Sequence, residues 1–328
     1  MRMNFLTRRE AIAKINEFAR NRAPFLFVID FSTGRSVVLT PPEAALLGIR
    51  YAFGEPGNQD KISKPFPPFL FEPDPVPFTI YHQAFDRVMG HLKRGDSYLL
   101  NLTFPTTIST RLTLEEIYQH AKAPFRLYFA GKFIVFSPER FVLIRDGKIF
   151  SNPMKGTIDA AIPEAEKQIL GDDKEFFEHN TIVDLIRNDL SMVASAVCVK
   201  RFRYIDRIVT NKQTLLQVSS EICGTLPAGF LNRLGETLFT LLPAGSVTGA
   251  PKTRTVQIIR QTEQDDRGFY TGIFGYFNGK DLDSAVMIRF IESANGTLRF
   301  RSGGGITARS RAENEYQELI QKVYVPVI

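Results

Sequence analysis

The sequence predicts an α+β fold built on antiparallel sheets, and three observations lead there. Short strand-like runs are joined by hairpin-type turns such as Asp146-Gly147 and Asn295-Gly296. Helical stretches with apolar residues at i, i+3 and i+4 lie among them. Strands and helices do not follow the βαβ rhythm of a parallel sheet. With 328 residues, 44% of them hydrophobic, the chain can bury the core of one large domain or two ordinary ones.

Thr7 and Glu10 form a capping-box pattern, after which Ile12, Ile15, Phe18 and Ala19 repeat at helical spacing. PFLFVID (24–30) and RSVVLT (35–40) read as strands. Residues 54–78 carry seven prolines and read as an irregular connection. The expected organisation is a short N-terminal β-containing portion plus this connection over 1–78, then a catalytic domain over 79–328. A helix over 80–94 stops at Gly95, SYLLNLTF (97–104) reads as a strand, and Thr113 with Glu116 opens another helix. Residues 125–152 are strand-rich. A long helix runs from 163 to Ala194 with a break at Gly171, and strands return at 197–225. Helices at 229–240 and 253–262 precede strands at 269–277, 282–291 and 297–302, and a helix over 311–323 closes the chain.

The net charge of +6 suggests anionic partners, but Lys and Arg are spread along the chain, which does not indicate a nucleic-acid groove. A small dianionic substrate suits such an excess. Cys198 and Cys223 form no CxxC pair or metal-ligand pattern, so a cytoplasmic protein without disulfides is expected. The first twenty residues lack the uninterrupted apolar run of a signal peptide. No stretch approaches the roughly 18 apolar residues of a membrane span.

Four constellations are candidates for chemistry. Glu175/Glu178 and Glu315/Glu318 are Glu-x-x-Glu pairs on predicted helices, each pair on one helical face. Two such faces across a cleft would offer hard oxygen ligands to Mg²⁺, although the same spacing is common on solvated helices. Gly303, Gly304 and Gly305 stand between a strand and the last helix, where backbone N–H groups can approach an anion or simply form a flexible loop. PAGSVTGAPK (243–252) does not have the spacing of a nucleotide-binding P-loop. Lys155, in NPMKGT, is either a surface residue or a nucleophile made reactive by a lowered pKa in a dry pocket. Glu139, in SPERF, would serve as a general acid if burial raises its pKa. His179 follows Glu178 directly and could support it.

Read in order, SPERF, NPMKGT, EHNTIVDLIRNDL (178–190), PAGSVTGAPK, YTGIFGYFNGKDLDSAVMIR (270–289), SGGGIT and ENEYQE (313–318) resemble the chorismate-utilising enzymes. These are the anthranilate, aminodeoxychorismate, isochorismate and salicylate synthases, and the likeness covers roughly residues 80–325. It implies antiparallel sheets packed together with helices outside, and a Mg²⁺ ion held between carboxylates. Glu178 and Glu318 are then the expected direct ligands, with Glu175 and Glu315 close by or acting through water. Arg289 and Tyr270 match positions that bind the enolpyruvyl group. Gly303, Gly304 and Gly305 match backbone donors beside them, and Gly156 and Thr157 line the substrate ring.

Within the family, Lys155 before Gly-Thr resembles the aminodeoxychorismate synthase branch, where anthranilate synthases typically carry alanine. The resemblance implies that Lys155 attacks C2 of chorismate, that Glu139 protonates the departing C4 hydroxyl, and that ammonia then adds at C4. The ammonia would come from a glutamine amidotransferase subunit, since this chain has no glutaminase pattern. Leu99 stands where isochorismate-forming relatives need a lysine, which disfavours addition of water. Leu216 is read as replacing the histidine usual before Val-Ser. The alternatives are an anthranilate synthase component I and a non-catalytic chorismate-fold binding protein; the latter has no need of Glu139 and Lys155.

Overall fold

The computed structural model describes residues 4–54, 70–209, 214–294 and 296–325. The connection expected at 54–78 lies largely outside these residues, and so does Asn295. The helices are α1 (Arg8–Arg20), α2 (Pro41–Leu46), α3 (Phe78–Lys93), α4 (Leu114–His120), α5 (Ala165–Gly171), α6 (Asp173–Ser191), α7 (Leu234–Thr240), α8 (Lys252–Thr262) and α9 (Ala312–Gln321). Capping boxes open α1 and α4 as expected: Thr7 accepts from Glu10 N at 3.4 Å while Glu10 accepts from Thr7 N at 2.8 Å, and Thr113 and Glu116 repeat the exchange. The long helix expected over 163–194 is two, broken after Gly171, and Asp172 caps the second by accepting from Glu175 N at 2.8 Å.

Two antiparallel sheets form the body. The first comprises β1 (Phe25–Ile29), β2 (Ser36–Leu39), β8 (Arg140–Arg145), β9 (Lys148–Ser151), β10 (Met154–Asp159), β11 (Ser195–Val209), β12 (Thr214–Thr225), β14 (Ile273–Phe277) and β15 (Leu282–Val286), in the order β10-β12-β9-β8-β15-β14-β1-β2 with β11 also paired to β12. The second comprises β3 (Ile49–Phe53), β4 (Glu72–Asp74), β5 (Leu99–Ser109), β6 (Phe125–Phe129), β7 (Phe133–Ser137), β13 (Gly249–Ala250), β16 (Phe290–Ala294) and β17 (Thr297–Ile306), in the order β13-β5-β17-β16-β7-β6-β3 with β4 beside β5.

The uninterrupted apolar run of β1 follows from its place between layers. Alternate side chains leave opposite faces of a strand. Phe25, Phe27 and Ile29 enter a core shared with α1, α6 and α7, while Leu26 and Val28 enter the core between the two sheets. All five are fully buried. A third core lies under α3, α8 and α9, and a fourth under α4, so helices cover the outer faces of both sheets. The N-terminal portion is woven into this body: β1 pairs with β14 and β3 with β6. Asn16 of α1 donates to Glu236 and accepts from Gly235 N, each at 2.7 Å, which fastens α1 to α7.

The span 282–291, expected as one strand, is two. The chain leaves the first sheet after Val286 and joins the second at Phe290, turning at Arg289 with φ of 51°. The glycines 303–305 are not a loop: they continue β17 and pair with Asn101, Leu102 and Thr103 of β5. On the other edge, pairing with β16 stops at Arg301.

Candidate active site

Two chain crossings define one side of the site. Between β7 and β8 the chain passes from the second sheet to the first through Glu139, and between β15 and β16 it returns through Arg289. The crossings are tied together, since Val286 N donates to Glu139 O at 3.1 Å and Phe136 N to Arg289 O at 3.2 Å. Ser246, in the turn before β13, donates a short hydrogen bond to the Glu139 carboxylate. Burial nevertheless pushes the Glu139 pKa up, against the opposing pull of Ser246, Lys322 and Arg289. The Arg289 guanidinium lies over the Tyr324 ring at 5.1 Å, and its Nε has no partner. Tyr270 is buried against Phe290, and burial raises its phenol to about 12.

Lys155 projects from a β-bulge. The register of β10 against β12 runs Met154 to Ser219 and then Thr157 to Gln217, which leaves Lys155 and Gly156 in the irregularity. Gln217 caps the bulge from β12: its Nε2 donates to Gly156 O at 2.7 Å, and its Oε1 accepts from Thr157 Oγ1 at 2.7 Å. Gly156 has φ of 89°, and a Cβ there would lie 2.9 Å from Glu175 Oε2, so glycine is required for both backbone and space.

The Lys155 ammonium meets Glu178 of α6 at 2.7 Å, and Lys174 reaches the other oxygen of Glu178 at 3.6 Å. Burial works against the charge on Lys155, but Glu178, helped by Glu318 and Glu175, outweighs it, and the pKa is raised. A lysine made reactive by a lowered pKa, one of the two readings of its sequence, is therefore not the state of the free protein; the neighbouring carboxylates decide the direction. Burial raises the pKa of Glu175, whose Oε2 is buried without a partner.

Glu315 and Glu318 approach from α9. A Cβ on Gly304 would stand 3.4 Å from Glu315 Oε2 and 3.8 Å from Glu318 Oε1, so the glycine strand admits these carboxylates. Lys322, one turn further on, meets Glu318 at 2.6 Å and donates to Gly303 O at 2.8 Å. Burial raises the pKa of Glu315 and lowers that of Lys322; it also works to raise that of Glu318, where Lys322 prevails and the net shift is downward. Among the described residues, no three acidic, His or Cys side chains are gathered into a ready-made metal site. Lys155 stands against Glu178, and Lys322 against Glu318.

Further residues support this frame. His179 is buried, bonded through Nε2 to Ser220 Oγ at 2.7 Å, and burial lowers its pKa to about 4. Lys252 of the GAPK string donates to Asp189 of α6 and to Leu241 O, each at 2.9 Å, which couples two of the sequence motifs. Leu99 lies against Gly305, where a Cβ would be 3.0 Å from its Cδ1. Leu216 is buried opposite Ile158, and its neighbour Gln217 reaches the Gly156-Thr157 turn. Lys322, Ser246 and Gln217 were not apparent from the sequence. Only Lys322 left a signal, its i+4 spacing from Glu318, which ordinary surface pairs share. A small cavity beside Glu139, lined also by Ser151, Pro153, Asp189 and Ser246, lies apart from the carboxylates of α9.

Two antiparallel sheets sharing a core, a bulge-mounted lysine and helix-borne carboxylates frame a partly buried cluster of titratable groups. The chorismate binding enzyme family matches residues 52–327, and the chain belongs to that family. It is 52% identical over 317 residues to an uncharacterized PabA-like protein of Pasteurella multocida, covering 96% of this chain and 98% of that one. It is 33% identical over 258 residues to aminodeoxychorismate synthase component 1 of Escherichia coli, covering 74% of this chain and 56% of the relative. The chain thus spans little more than half the length of that enzyme. Its fold superposes on anthranilate synthase component I of Streptococcus pneumoniae with a TM-score of 0.64 and 26% identity, over 78% of this chain and 59% of the other. No described helix is long and apolar enough to cross a membrane.

Proposed function

We propose that this chain converts chorismate to 4-amino-4-deoxychorismate in a Mg²⁺-dependent amination, as the component I partner of a cytoplasmic glutamine amidotransferase supplying ammonia for 4-aminobenzoate and folate synthesis. The observation that carries this reading is Lys155, a primary amine held on a bulge beside Glu178. Attack requires the neutral amine, so the Lys155–Glu178 pair must part first. Lys155 then bonds to C2, both double bonds of the ring diene shift along the ring, and the C4 hydroxyl leaves as water on taking the Glu139 proton. Ammonia adds at C4, both double bonds shift back, and the Lys155 amine is released. Burial of Glu139 favours its protonated form, as an acid requires. Arg289, with its unpartnered Nε, suits the enolpyruvyl carboxylate, and the free edge of Gly303–Gly305 offers main-chain donors beside it.

The residues present fit a Mg²⁺ ion. They are hard oxygen donors from α6 and α9 whose charges converge on Lys155, and the buried Glu175 Oε2 has no partner of its own. Glu178 and Glu318 would hold the ion, with Glu175 and Glu315 beside them or through water. Bound there, the ion would supply positive charge to the ring carboxylate of chorismate. The test is mass spectrometry of the product formed from chorismate, Mg²⁺ and ammonium at mildly alkaline pH. A product that an added lyase converts to 4-aminobenzoate supports the proposal. Anthranilate overturns the branch assignment, and unchanged chorismate under these conditions returns the chain to a binding role.

A further inference from the structure

Away from this site, the chain's two cysteines occupy facing positions. In the β11–β12 pair Cys198 stands directly opposite Cys223, flanked by the Val199–Ile222 pair. Directly opposed residues of an antiparallel pair have Cα atoms about 4.5–5.5 Å apart and side chains on one face, inside the range of about 4.4–6.8 Å that a disulfide spans. Both thiols are free, Cys198 exposed and Cys223 buried. Burial pushes the Cys223 thiol up, against the weaker pull of Lys200 and Lys148, so Cys223 stays a thiol and suits the second, resolving position. Exposure of Cys198 admits an oxidant.

We propose that Cys198 and Cys223 form an oxidant-responsive thiol pair, which hydrogen peroxide converts to an intrachain disulfide. The exposed Cys198 thiolate attacks the peroxide O–O bond, giving a sulfenic acid and hydroxide, or water once protonated. The Cys223 thiol, opposite it, then displaces water from that sulfenic acid and forms the S–S bond. Two thiols are oxidised, one peroxide is reduced, and two waters result. The bond pins the outer strand β11 to β12, which also carries Gln217 and Ser220. A dithiol reductant reverses it by exchange.

The experiment uses the full chain, treated with a small excess of hydrogen peroxide and then alkylated under denaturing conditions. Two alkylatable thiols before treatment, none after it, a monomer lighter by about 2 Da, and recovery of both thiols with dithiothreitol are expected. In Cys223→Ser, a sulfenic-acid trap such as dimedone should label Cys198. In Cys198→Ser, Cys223 should remain alkylatable. Disulfide-linked dimers, sulfinic acid as the main product in the unmodified sequence, or two thiols that stay alkylatable would each overturn the proposal.

Discussion

The carboxamide of Gln217 holds the carbonyl of Gly156 at 2.7 Å and accepts from Thr157, so both ends of one side chain fix the turn that presents Lys155. Replacing Gln217 by Leu leaves the Gly156 carbonyl and the Thr157 hydroxyl without this partner and frees the bulge. A displacement of about 1 Å at a reacting group costs on the order of 10²-fold in rate. Gln217→Leu is therefore expected to lower kcat by about that factor, with an unaltered circular dichroism spectrum. Wild-type kcat in this variant would remove the positioning role.

Lys155→Ala should abolish amination, by on the order of 10³-fold or more if the lysine forms the covalent bond. Trapping gives a second readout: quenching wild-type turnover should show a chain carrying the mass of a chorismate-derived adduct, absent from the variant. Undiminished turnover in Lys155→Ala would argue for direct attack by ammonia.

Glu139 must be protonated to act, and burial holds its pKa above the ordinary carboxylate range. Activity should accordingly fall on the alkaline side as Glu139 ionises. The Ser246 hydrogen bond favours the ionised form. Its removal in Ser246→Ala should raise the Glu139 pKa further and move the alkaline limb of kcat/KM to higher pH. A limb that stays in place, or moves to lower pH, separates Ser246 from the acid.

Glu318→Gln removes one proposed Mg²⁺ ligand and half of the Lys322 pair. Mg²⁺ should raise the melting temperature of the wild-type chain and bind with a measurable heat by calorimetry, and both effects should be lost in the variant. Equal Mg²⁺ binding by both proteins would exclude Glu318 as a ligand.

Lys252 and Asp189 are a largely buried ion pair that holds α6 to the start of α8. Lys252→Met leaves Asp189 unpaired in a place where burial already disfavours its charge. A loss of about 3 kcal/mol in urea unfolding is expected, and much of it should return in the Lys252→Met/Asp189→Asn double variant. A single variant as stable as wild type would mark the pair as dispensable.

Local chemistry made much of the fold legible. Capping boxes marked α1 and α4, Gly95 marked the end of α3, and the two Glu-x-x-Glu pairs do lie on α6 and α9. What escaped depends on pairing across the chain. Arg289 breaks an apparently continuous strand because the chain changes sheets there. Gly303–Gly305 read as a loop because glycine has little strand preference, yet β5 supplies the ladder. Leu216 and Gln217 differ by one position, and one position in a strand exchanges the faces. No pattern in the sequence announces that Ser246 meets Glu139, since 107 residues separate them.

The paired crossings at Glu139 and Arg289 make the two layers depend on each other. Neither sheet alone holds both side chains: the Glu139 carboxyl sits where the chain departs one layer, the Arg289 guanidinium where it comes back. Slippage of one layer over the other would break the two main-chain hydrogen bonds that join the crossings and part these two groups.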